Sequence, residues 1–119
     1  MTTDDIRFKI AEMLGWEELK WENMAFSSER QLQGVPPGIP PAKNTGFRPT
    51  HVVPAYESDI KAAWEVLALP SIESWAMKWN GEDAEFVAAV QVDGNKWYEA
   101  SKVSAPLAIC LAALKAVSR

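Results

Sequence analysis

The chain of 119 residues holds one cysteine and one histidine. Cys110 has no second thiol for an internal disulfide, and His51 has no second histidine, and no cysteine or acid at ligand spacing, to build a metal site with it. A disulfide scaffold and a zinc module are excluded on residue supply alone. Basic charge is also scarce: 12 lysines and arginines against 16 acids leave a net charge of −4 at pH 7, and broad binding to a phosphate backbone needs the opposite balance. Long apolar runs are missing too. Ala105 to Leu114 is the most apolar stretch, and it falls well short of the roughly 20 residues needed to span a bilayer. No basic start followed by an apolar run marks a signal peptide. These absences point away from a secreted, membrane or nucleic-acid-binding protein and toward the cytoplasm.

What is present suffices for a fold. Hydrophobic residues make up 48% of the chain, enough for one core without staples, so residues 1–119 are expected to form a single domain. Thr3 to Leu14 places Ile6, Ile10, Met13 and Leu14 on one helical face, with Asp4 and Asp5 in the first turn. Gly15-Trp16 is a helix stop, because glycine takes the left-handed conformation and a large apolar residue folds back on the last turn. Glu17 to Ser28 shows no clear period and stays unassigned.

Gln33 to Pro54 holds six of the eight prolines and three glycines, and is expected to be a long loop that is neither helix nor central strand. His51 is read as a residue of that loop. Pro-Pro-Gly-Ile-Pro-Pro favours extended backbone, and loops of such length often carry docking segments. Pro36, Pro37, Ile39, Pro40 and Pro41 are therefore candidate partner-binding residues.

The chain is organised around the helix that follows. Ser58 is the expected N-cap, Asp59 places negative charge at the helix start, and Ile60, Ala63, Trp64 and Leu67 form an apolar stripe. Ile72 to Trp79 then alternates, with Trp75, Met77 and Trp79 on one face; Asn80-Gly81 signals a turn. Glu85 to Val92 follows, with Phe86, Ala88, Val90 and Val92 on one face and Val87 and Ala89 on the other. Apolar residues on both faces imply cover on both sides of the sheet. Asp93-Gly94 leads to a third strand from Lys96 to Ala100. The last helix opens at Ser104, tolerates Pro106 in its first turn and is apolar nearly all round. Such a helix is buried on several sides or contributes to a subunit contact, and Leu111 is the residue expected to carry a homodimer.

The acids at Glu57/Asp59 and Glu82/Asp83/Glu85 fall at a helix start and a hairpin turn, usual places for solvated carboxylates, and Cys110 lies in an apolar helix without a local base. No phosphate-cradling glycine loop appears. The sequence thus predicts no enzyme and no cofactor. Of the six tryptophans, Trp64, Trp75 and Trp79 are expected in the core, with Trp21 and Trp97 half-exposed.

Three segments together, Met13-Leu14-Gly15-Trp16, Tyr56 to Val66 and Ala105 to Leu114, resemble the phage ABA sandwich domain family. The resemblance implies a small α+β protein of phage or prophage origin, with a three-stranded meander in an α/β/α sandwich of element order α-α-β-β-β-α. It implies fold and origin rather than an activity. Against the family's pattern, the proline loop is enlarged and Leu111 stands where members often carry a basic residue. The reading is a non-enzymatic module in the host cytoplasm that binds another protein, with no membrane or nucleic-acid partner. A double-stranded RNA-binding domain is the rival, since it shares the order helix, meander, helix. A small hydrolase is the more distant alternative.

Overall fold

A computed structural model describes residues 2–23, 29–38 and 49–117. Among them are three helices and two three-stranded antiparallel sheets, an α+β fold. The chain divides into two compact units, Met1–Ile10 with Pro54–Arg119, and Ala11–Val53. Helix α1 (Thr3–Leu14) contains the first of the boundaries between them.

α1 has both ends closed. The Thr2 N–H donates to Asp5 Oδ2 (3.1 Å) and the Asp5 N–H donates to Thr2 Oγ1 (3.2 Å), a reciprocal cap that holds the Asp5 carboxyl below the usual carboxylate range. At the other end Gly15 (φ +99°) donates to the Glu12 carbonyl and Trp16 to the Ala11 carbonyl, so the helix stops where the sequence predicts.

The unit Ala11–Val53 contains β1 (Glu17–Asn23), β2 (Arg30–Val35) and β3 (His51–Val52), in that spatial order. This corrects the sequence reading twice. Gln33, Gly34 and Val35 belong to a central strand, and His51, expected in a loop, pairs with Gly34. Directly after β2, Pro36, Pro37 and Gly38 are outside helix and strand, as the proline argument expects. Gly34 is required there rather than disruptive: a Cβ would stand 2.7 Å from Leu19 Cδ2 and 2.9 Å from the Glu17 carbonyl oxygen. β1 escaped assignment because its register slips between Glu17 and Lys20, with Glu18 at φ +53°. Such a bulge erases the two-residue period that would mark a strand.

The other unit contains α2 (Ile60–Leu67), β4 (Ser74–Asn80), β5 (Glu85–Val92), β6 (Lys96–Lys102) and α3 (Ala105–Val117). The sheet order is β4-β5-β6, the expected meander. Its turns form through the expected residues. Asn80 accepts from the Glu82 N–H and donates to Asp83, while Asp93 (φ +51°) and Gly94 (φ +85°) take left-handed conformations. α3 packs across β5 and β6, and α2 packs on α3. Ala88, Val90, Val92 and Ala100 from the sheet are buried, as are Ala108, Ile109, Ala112 and Ala113 from α3. Alanine lets the layers approach closely. Lys115 is the one exposed residue of α3, and its Nζ donates to the Glu99 carbonyl (2.8 Å).

α2 differs from expectation at its cap and its face. Asp59, not Ser58, is the N-cap, accepting from the Lys61 N–H at 2.9 Å. The buried stripe is Ala62, Ala63, Val66 and Leu67, whereas Ile60 and Trp64 are exposed. The change of face follows from packing on α3: an alanine-rich partner accepts a stripe of smaller side chains and leaves the indole at the margin.

Candidate interaction surface

Large apolar side chains lie open on the meander unit. Trp64, Trp75 and Trp79, expected in the core, are 40%, 45% and 55% exposed, and Trp97 is 48% exposed, as expected for that residue. Alternation correctly puts Trp75, Met77 and Trp79 on one face, the face of Ala88 and Val90 across the ladder. β4, however, is an edge strand, beyond the two strands on which α3 packs. Trp75 leans on Trp64 of α2 with ring centres 5.1 Å apart and planes tilted by 50°, and Trp79 leans on Phe86 at 4.8 Å and 59°. Tilted pairs of this kind hold indoles in place without covering them.

The opposite face of the same sheet carries a shallow hollow of about 290 Å³. Ala76, Val87 and Ala89 make its floor, Trp97 one wall, and Lys78 and Glu99 two charged sides. Val87 and Ala89 are only half-buried, and Ala76, Lys78, Trp97 and Glu99 are exposed, so cover on this side is less complete than the two apolar faces of β5 suggest. A small-residue floor beside one indole suits an apolar contact with one ion pair at its edge.

The phage ABA sandwich domain matches residues 42–114, more than half of the chain, a span that takes in α2, the whole meander and most of α3. The chain belongs to the phage ABA sandwich domain family. That membership suggests a phage origin. No curated protein and no solved structure matches the chain.

In this ABA sandwich domain several of the acids singled out in the sequence have structural partners. Glu57, read from sequence as a solvated acid, is buried and held by a forked pair with Arg7: Arg7 Nε donates to Oε1 at 2.8 Å and Nη2 to Oε2 at 2.7 Å. Asp59 is a helix cap, and Glu82 and Asp83 take part in the β4–β5 turn. Burial, with a smaller push from Glu57, raises the Cys110 thiol to about 12, which keeps it protonated and inert at neutral pH. Among the described residues no three histidine, cysteine, aspartate or glutamate side chains are grouped to hold a metal, and no helix is long and apolar enough to cross a membrane.

The candidate partner-binding residues are divided. Pro36 is half-buried and Pro37 exposed, directly after β2; Pro37 Cβ lies 3.3 Å from where a Cβ on Gly15 would stand, so the turn closes on the end of α1. Leu111 belongs to the other unit, half-buried on α3. Ile39, Pro40 and Pro41 lie outside the described residues. Sequence reasoning missed Ala76, Val87 and Ala89 as a surface. The signal was the mixture of small residues and one Trp on the second face of the meander.

Proposed function

We propose that this phage ABA sandwich domain is a non-enzymatic accessory protein that works in the host cytoplasm by binding another protein. The observation that supports the reading best is the open sheet face, where Trp97 stands 48% exposed beside the hollow over Ala76, Val87 and Ala89. Exposed indoles over small residues are typical anchors of protein contacts. The turn at Pro36 and Pro37 and the α3 residue Leu111 are further candidate contacts. The test is affinity capture from phage-infected cells with the wild type and with Trp97→Ser. A protein retained by the wild type and lost with the variant is the expected result; equal capture by both would move the contact away from this face.

One observation favours the RNA reading, the order α2-β4-β5-β6-α3, which is helix, meander, helix. Its charges oppose it. Lys102 is the one lysine near the start of α3, the place where a double-stranded RNA-binding domain presents a cluster, and Glu99 precedes it on the same strand. A single cation releases too few counterions to offset a net charge of −4. No binding to a long RNA duplex is expected at physiological salt. In a gel-shift titration at two salt concentrations, salt-sensitive micromolar binding that disappears in Lys102→Glu would instead establish the RNA reading.

A further inference from the structure

Strands β1, β3, β4 and β6 lie at sheet edges. An edge offers a row of backbone N–H and C=O groups to any other strand, and proteins blunt it with charge, bulges, proline or shortness. β1 carries a register slip and the charges of Glu17, Glu18, Lys20 and Glu22. β3 is two residues long, and β6 carries Lys96, Glu99 and Lys102. β4 has one charge, Lys78, and no proline; its seven residues pair with β5 in unbroken register from Ser74 to Asn80. It is the unprotected edge among the four.

We infer that β4 pairs with β4 of a second copy of this chain, antiparallel and centred on Met77, so that the two meanders join in one six-stranded sheet. The strand is self-complementary about that centre. Ser74 meets Asn80, Trp75 meets Trp79 and Ala76 meets Lys78, and all seven residues find a partner. Centring on Lys78 instead would set two lysines face to face, and every shift leaves residues unpaired. Cross-strand aromatic pairs are among the favourable ones, and like charges directly opposite are among the unfavourable. Trp75 and Trp79 are about half exposed. Since a whole ring buries roughly 150–250 Å², the four rings brought together present roughly 400 Å² of apolar surface. Even with the two strand edges this stays below the roughly 1,200 Å² of specific stable interfaces, so the dimer belongs with the weak, concentration-dependent contacts. The hollow beside Trp97 is on the other face of the sheet and is doubled rather than filled.

Ala76 supplies a test with two signs. It is exposed, so substitution leaves the fold intact, which circular dichroism verifies. In the two-fold register Ala76→Lys sets a lysine opposite Lys78 of the second copy, twice over, whereas Ala76→Glu sets a carboxylate there. Sedimentation of the full chain over a concentration series is expected to show a monomer–dimer equilibrium. Its Kd should rise about tenfold for Ala76→Lys and fall severalfold for Ala76→Glu. A wild type that stays monomeric throughout overturns the inference. So does a dimer indifferent to both charges, which would place the contact elsewhere, for example at Leu111.

Discussion

Glu57→Ala is expected to destabilise the protein by about 3–5 kcal/mol, the range for breaking a buried ion pair from one side. The Glu57 side chain is 4% exposed and that of Arg7 is 23% exposed, so removal of the carboxylate takes both forked bonds from a largely buried guanidinium. A guanidinium keeps its proton throughout the ordinary pH range, so Arg7 cannot escape the cost by becoming neutral once the carboxylate is gone. Replacing both partners at once, with Arg7→Met and Glu57→Leu, is expected to recover most of the loss, because neither desolvated charge then remains. Denaturant titrations of the single and double variants provide the comparison. A single-variant loss under about 1 kcal/mol would show that water screens the pair.

The second large effect belongs to Tyr56. It is the largest of the fully buried side chains among the described residues, and Tyr56→Ala is expected to cost about 3–5 kcal/mol through the cavity left behind. Trp64→Ala, which removes a bulkier ring, is expected to cost less, about 2–3 kcal/mol, because Trp64 is 40% exposed and leaves no enclosed cavity behind. The order of the two losses is the decisive measurement. Equal or inverted losses would place Trp64 inside the core and α2 in a different rotation.

That contrast locates the limit of the sequence. The path from α2 through the meander to α3 was legible because each signal is local: a helical period, alternation in β5, and turn pairs at Asn80-Gly81 and Asp93-Gly94. Alternation also says that Trp75 and Trp79 share a face. It does not say where a neighbouring layer ends, and that is what leaves both indoles open. Although the meander order alone makes β4 an edge, the extent of α3 over the sheet depends on helix packing that no short window contains. The same holds for Glu57, whose partner is 50 positions away. In β1 the local pattern is itself misleading, since the slip at Glu18 moves later side chains out of phase. Of the candidate surface, Trp97 was readable as half-exposed, whereas Ala76, Val87 and Ala89 looked like ordinary filling for a covered face.

The 50-residue separation between Arg7 and Glu57 is also an interval of time. Chains are synthesised at roughly 5–20 residues per second, so Arg7 is made several seconds before its counter-ion. In that interval the whole of β1, β2 and β3 is produced, and this sheet has every strand it needs while α2 and the meander are still untranslated. The unit that holds the Arg7–Glu57 pair can therefore close only after every strand of the other sheet has been made.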